Sequence, residues 1–416
     1  MTVSNTIRAL APTEVPHVGT GLSVGYSVRV RGALDVVALS DAFDVLRRFH
    51  PVHGSYLVAD EQGIAISRES SLPSAFKVFN GPVEEVFHDL SLNPGRALTE
   101  LHVVREGERA NVTLLTHHSV ADGYHSLAVL KDLWSLYTDF VEGVPEPTVE
   151  QRGYPMSLEA LFADRAIAPD DDEAVPSPES PAAPIVLTGA AAVASSYLAV
   201  LSSVRCALDY GETRALVDVG RRERTTINSL VSAAIVLALS DTREVPLSDT
   251  FYAFAVDLRS RISPPAAFTD GTNILGIGQY QPGDGPTELV DIARAVGARL
   301  ASDLADHSIH HAAFGGVGTA QATLAGFQQA RASAFTTNWG KIPALRHPAA
   351  LELQDFWPLF HYDPLVAPPQ LPPVPPIMVV ISSFDGRLNI DLASFAPDDA
   401  DRELMAAVRS RLLSVL

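Results

Sequence analysis

The chain has 416 residues, and 30 Lys and Arg against 49 Asp and Glu give it a formal net charge of −19. At 47% hydrophobic and 19% charged residues it is neither disordered nor fibrous. So acidic a surface gives little footing to nucleic acid or anionic lipid. Lys77, Lys131 and Lys341 are the only lysines, so phosphate or carboxylate contacts fall mainly to guanidinium groups. A single cysteine, Cys206, makes neither an internal disulfide nor a thiolate metal cage, which suits a reducing compartment. Met1 to Pro12 shows no cationic stretch followed by an apolar one, and no segment approaches about 18 uninterrupted apolar residues. The expectation is a cytoplasmic protein without a membrane span.

At roughly 150 residues per domain the length predicts two or three domains, and two are expected. Gly21 to Val30 alternates and is rich in β-branched residues, and Leu39, Phe43 and Leu46 then recur at helical spacing: strand, then helix. The helix ends at His50-Pro51, since the residue before a proline is pushed out of the α region. Short strands are expected at Ser55 to Ala59 and Ile64 to Ser67, and a hairpin from Leu101 to Val104 and Asn111 to Thr116. Beyond it Leu127, Leu130, Trp134, Tyr137 and Val141 place one apolar stripe on a long helix. Residues 165–184 combine charge and proline with almost no large apolar side chains and read as a linker, dividing the chain into lobes at 1–164 and 185–416. The second lobe restarts with a strand near Ser203 to Leu208, helices at Glu212 to Arg222 and Asn228 to Leu239, and a strand at Thr250 to Leu258. A helix from Thr287 to Leu304, strands near Ser333 to Thr337 and Ile377 to Ser382, a proline-rich loop at Ala367 to Pro376 and a closing helix at Ala400 to Leu416 follow.

The sharpest chemical feature is His117-His118-Ser119-Val120-Ala121-Asp122-Gly123, in the corner between the hairpin and the long helix. Adjacent residues on a strand point to opposite faces, so one histidine enters a cleft while the other packs inward. Neutral imidazole takes a proton from an alcohol or amine near neutral pH and returns it to a departing thiolate. Asp122 either orients this base or ties the loop down through an arginine, and Gly123 permits a tight turn.

At this block the sequence resembles the condensation-domain-like acyltransferase superfamily, which includes chloramphenicol acetyltransferase, peptide-synthetase condensation domains and the polyketide-associated acyltransferases. The resemblance is strongest to the last group and covers nearly the whole chain. Arg31-Gly32-Ala33-Leu34-Asp35 with His50-Pro51-Val52, Tyr252 to Arg259, Thr272-Asn273-Ile274-Leu275-Gly276, and Thr337-Asn338-Trp339-Gly340 support it together. It implies an α/β (α+β) fold of two chloramphenicol-acetyltransferase-like lobes in a V with a central tunnel. His118 would be the general base, and His117, Asp122 and Gly123 structural, with Arg259 the partner of Asp122. The thioester donor would be carried on coenzyme A or an acyl carrier protein, on its own or in a polyketide synthase, and the acceptor would be a hydrophobic hydroxyl compound. No resident cofactor or metal is required. Thr336, Thr337, Asn338 and Trp339 are candidates for the oxyanion site or tunnel wall. An amide-forming condensation enzyme would use the same base, and a non-catalytic carrier- or lipid-binding relative would share the fold.

Other features are weaker. His307, His310 and His311, with Asp303 and Asp306, have a helical spacing open to metal ligation or to an exposed helix end. Gly315-Gly316-Val317-Gly318 suits a mobile loop or a phosphate cradle but has no P-loop lysine. Cys206 reads as a small core residue, and no GxSxG elbow is present. Arg221, Arg222 and Arg224 form either a solvated helix end or a docking patch for a phosphate-bearing donor.

Overall fold

The structure is a computed structural model that describes residues 5–68, 74–84, 92–145, 149–167, 200–283, 285–314, 317–362, 376–394 and 397–416. Nearly all of the expected linker and of the proline-rich loop, and the Gly315-Gly316 pair, lie outside these residues.

The first half runs β1 (Asn5–Ala9), α1 (Val15–Thr20), β2 (Leu22–Gly32), α2 (Val36–Phe49), β3 (Tyr56–Asp60), β4 (Gly63–Arg68), β5 (Phe76–Asn80), β6 (Thr99–Glu106), β7 (Arg109–His117), α3 (Gly123–Glu142) and α4 (Leu158–Asp164). The second runs β8 (Val200–Leu208), α5 (Tyr210–Glu223), α6 (Ile227–Thr242), β9 (Thr250–Asp257), β10 (Leu275–Tyr280), α7 (Leu289–Ala305), α8 (Ser308–Phe314), α9 (Val317–Gln329), β11 (Ala332–Lys341), β12 (Leu351–Tyr362), β13 (Ile377–Phe384), β14 (Arg387–Ser394) and α10 (Asp399–Leu413).

Local chemistry sets several of these boundaries. The Asp122 carboxylate accepts from the His125 backbone N–H and opens α3, and Gly143, at φ 68, closes it in the left-handed conformation. The α3 stripe is buried through Tyr137, but Val141 is 40% exposed, so the buried face stops one turn before the periodicity does. A capping box between Asp209 and Glu212 opens α5. By contrast α6 has no polar face, and every residue from Leu230 to Leu239 is buried, as expected of a helix at the centre of a core.

Eleven strands form one sheet, in the order β10-β9-β11-β13-β14-β8-β12-β2-β7-β6-β5. Strand β12 belongs by sequence to the second half yet pairs antiparallel with β2 along its whole length, Leu351 opposite Gly32 and Tyr362 opposite Leu22. It meets β8 at only two positions, Phe360–Leu201 and His361–Val200. Arg205 closes the divergence: its guanidinium donates to Asp391 (2.7 Å), Asp355 (3.0 Å) and the Phe356 carbonyl (2.6 Å) and lies 3.5 Å from the Trp357 ring centroid. One large core lies under the second-half helices. The other joins first-half residues such as Phe43 and Trp134 to Trp339, Leu351 and Phe356.

Among the described residues no single helix is long and apolar enough to cross a membrane.

Candidate active site

The site forms where β7 ends, α3 begins, and the loop between β9 and β10 crosses over from the second half. His117 is buried at 1% exposure. The Ser119 backbone N–H points at its Nδ1 (3.3 Å), which makes that nitrogen the acceptor also for the Ser119 hydroxyl (2.7 Å). Its Nε2 is buried with no hydrogen-bond partner among the described residues, and burial pushes the ring down to about 3. His117 is therefore neutral and committed to packing.

His118 faces the other way and is partly open to solvent. Its backbone N–H donates to Leu22 O (2.9 Å). Its ring is held by Asn273, whose Nδ2 donates to the His118 carbonyl (2.7 Å) while its Oδ1 lies 3.1 Å from Nδ1. These contacts fix each other. An amide that donates to a carbonyl must turn its own oxygen toward Nδ1, so Nδ1 carries the hydrogen and Nε2 keeps its lone pair. Burial pulls the His118 pKa below the ordinary histidine value, while its own carbonyl, Asp122 and Asn273 hold it up.

Asp122 and Arg259, 0% and 1% exposed, pair at 2.8 Å. The same carboxylate accepts from the backbone N–H groups of His125 (3.0 Å) and Ile274 (3.0 Å). It thus ties the start of α3 to β10 and makes no hydrogen bond to His118. Asp257 also binds Arg259 Nη1 (2.9 Å). Below this pair lies a chain of histidines. His125 Nδ1–H donates to Gly271 O (2.9 Å), so its Nε2 accepts from His53 Nε2–H (3.2 Å), and His53 Nδ1 accepts from the Thr99 hydroxyl (2.7 Å). His125 is therefore occupied and, like His53, stays neutral, lowered by burial.

Gly123 is required by contact. A Cβ there would sit 2.7 Å from Trp339 Nε1 and 2.8 Å from its Cδ1, and Trp339 is itself buried against Tyr26, with centroids 4.8 Å apart. Gly123→Ala should displace the indole or the first turn of α3, lowering kcat about tenfold and the melting temperature by a few degrees. Steady-state kinetics with a thermal melt check both; a variant that matches wild type in each shows that the indole moves at no cost.

Thr337, Asn338 and Trp339 line a cavity of about 240 Å³ with Gly123, Tyr124 and Asp257. Thr336 does not: its hydroxyl bonds Tyr252 (2.6 Å), which bonds Ser232 (2.7 Å) inside the core under the second-half helices. Strand alternation turns Thr336 from the face that Thr337 presents. His118 is not among the lining residues.

Arg221 and Arg222 are exposed and each faces a carboxylate, Asp218 at 3.0 Å and Glu223 at 2.9 Å, while Arg224 caps α5 at φ 55. His310 turns inward, with Nε2 3.2 Å from Arg261 O, and among the described residues no three His, Cys, Asp or Glu side chains are grouped as metal ligands. Cys206 is buried in β8 and its thiol is pushed up to about 12 by burial, so it is a thiol at neutral pH.

The residues that sequence reading left out of the site come from the N-terminal arm and the 270–274 loop. Glu14, fully buried, binds Arg8 through both oxygens (2.7 and 2.8 Å) and accepts from the Thr272 hydroxyl (2.7 Å), next to Asn273. From α1, His17 reaches the face of His118. The Thr272-Asn273 dipeptide was the available signal, and it carried no indication of a contact with His118.

A family model described as the phthiocerol/phthiodiolone dimycocerosyl transferase C-terminus matches residues 199–393. Proteins named phthiocerol/phthiodiolone dimycocerosyl transferase from Mycobacterium tuberculosis (strain ATCC 25618 / H37Rv) and Mycobacterium ulcerans (strain Agy99) are 31% and 30% identical to this chain. The matches cover 84% and 98% of it and 85% and 96% of those proteins. Among solved structures, polyketide synthase associated protein 5 from Mycobacterium tuberculosis is similar over 99% of this chain and 98% of its own, with TM-score 0.80 and 29% identity. The first condensation domain of the calcium-dependent antibiotic synthetase shares the fold over 99% of this chain and 97% of its own, with TM-score 0.64 and 15% identity. On these similarities the chain belongs to the phthiocerol/phthiodiolone dimycocerosyl transferase family and is an acyltransferase with a mixed helix and sheet fold of the condensation-domain type.

Proposed function

We propose that the chain moves an acyl group from a thioester, on coenzyme A or a carrier protein, to a hydroxyl of a polyketide-derived lipid, with His118 as general base. The observation that carries this reading is the tautomer set by Asn273, which leaves the Nε2 lone pair free to accept a proton. The acceptor O–H gives its proton to Nε2 as its oxygen bonds to the thioester carbonyl carbon. The resulting oxyanion collapses, the C–S bond breaks, and the sulfur leaves as a thiol carrying the proton back from Nε2. No metal or redox group enters this balance.

The acceptor class is supported by the relatives' name, phthiocerol/phthiodiolone dimycocerosyl transferase. The polyketide synthase association of the structural neighbour, polyketide synthase associated protein 5, favours a carrier-borne donor. Thr337, Asn338 and Trp339 would wall the substrate space, and Arg224, with Arg221 and Arg222, would meet the donor's phosphates.

Direct attack requires both substrates at once. Incubation with an acyl-coenzyme A alone should leave the intact mass of the denatured protein unchanged, and thiol should appear only when an alcohol is added, in step with ester. A stable acyl adduct on the protein, with ping-pong kinetics, would replace direct attack with a covalent intermediate.

A further inference from the structure

The His17 ring lies parallel to the His118 ring, with centroids 4.4 Å apart and planes 6° from coplanar. We propose that His17 is a positioning residue for the base: its ring fixes the plane of the His118 imidazole and gives it an aromatic face to lie on when Nε2 takes up the acceptor's proton. This inference rests on His118 being the base.

Two further observations show that the stack is held in place. Helix α1 is six residues long and is anchored through Glu14, whose carboxylate accepts from the Ala11 backbone N–H (2.8 Å) as well as binding Arg8 and Thr272. On the other side, Thr13 donates to Glu159 through its backbone (2.9 Å) and hydroxyl (3.1 Å). The Glu14–Thr272 contact places α1 on the loop whose next residue, Asn273, holds His118 Nδ1. One face and one edge of the base are thus set by a single connected unit, and Nε2 is left for substrate.

The electrostatics favour the same arrangement. Burial above all, with the nearby imidazoles of His118 and His117 disfavouring a further positive charge, pushes His17 well below the ordinary histidine value, so it presents a neutral ring. The titratable neighbours of His118 are Asp122, which favours its charged form, and the two histidines His17 and His117, the latter facing His361. A neutral aromatic face against an imidazolium is attractive, where a second cation would be repulsive. The π face therefore raises the basicity of His118, and its removal should lower it.

The test compares full-length wild type, His17→Phe, His17→Leu and His118→Ala, with octanoyl-coenzyme A and 1-octanol as probes. Phenylalanine keeps a flat π face without a titrating nitrogen; leucine fills similar space without one. His17→Phe should stay within about threefold of wild-type kcat, with the acid limb of kcat/KM unmoved. His17→Leu should lose about tenfold in kcat at unchanged KM and melting temperature, with the acid limb displaced to lower pH, because the base is weaker. Equal behaviour of the two variants, whether both active or both impaired, overturns the proposal. Should the leucine variant not fold, His17→Gln, which also lacks an aromatic face, takes its place with the same outcomes. Wild-type turnover in His118→Ala would overturn the base assignment itself, whereas an inactive His118→Ala beside indistinguishable Phe and Leu variants would remove only the role given to His17.

Discussion

His118→Ala should lower acyl transfer by about 10³-fold, within the range a positioned general base contributes, while the circular dichroism spectrum and melting temperature stay at wild-type values. The ring is partly open to solvent and makes one side-chain hydrogen bond, to Asn273, so its loss opens no cavity in either core. His117→Ala should do the reverse. That ring is buried and bonded to Ser119, and its truncation should destabilise by about 2 kcal/mol through the void and the freed hydroxyl. The pH profile follows from the direction of the His118 shift. In the proposed role His118 would work when neutral, and a pKa held below the ordinary value keeps it neutral further into acid, so kcat/KM should be flat through neutrality with its acid limb below about 6.5. A folded His118→Ala variant with near-normal turnover would remove the mechanism.

How far the sequence reached depended on whether a feature was local. Helices with one apolar face and a cap, such as α2, α3 and α5, are legible from periodicity and from Asp35, Asp122 and Asp209 at their N-termini. The two histidines of the motif separate by strand alternation alone. Strand β12 is different. Leu351 to Tyr362 looks like second-half sequence, and nothing in its composition says that it crosses to pair with β2, because register between strands more than 300 residues apart is written in neither segment by itself. Without that crossing, the chain reads as two lobes with separate sheets.

The N-terminal arm fails to show for another reason. Residues 11 to 21 carry two prolines and two glycines and look like loop. What makes them a helix that holds an imidazole is Glu14, buried by contacts with Arg8 and with Thr272, 258 positions away. Likewise Asn273 reads as one polar residue among many until the fold sets it against His118. Thr336 and Thr337 are adjacent in the sequence, and only strand alternation in the folded β11 puts one hydroxyl in the core and the other residue on the cavity wall.

Asp122→Asn should destabilise the protein by about 3 kcal/mol, the lower end of the range for breaking a buried pair on one side. The low end applies because Asp257 remains 2.9 Å from the same Arg259 nitrogen. The asparagine amide can accept on one side only. Its NH₂ must face either the His125 N–H, which α3 needs capped, or the Ile274 N–H together with Arg259, which begin the crossing to the second half. In either orientation buried donors confront each other, and the loop bearing Asn273 shifts along with Ile274. The melting temperature should therefore fall by on the order of 5 °C, and turnover should fall with it, through the position of His118 rather than through its charge. The double variant Asp122→Asn/Arg259→Met should lose less than the sum of the two single changes, since each single change leaves the other partner buried and unmatched. A fall in activity with the melting temperature unchanged would show instead that Asp122 acts on His118 directly, and full additivity in the double variant would show that the pair at 2.8 Å does not couple the two halves.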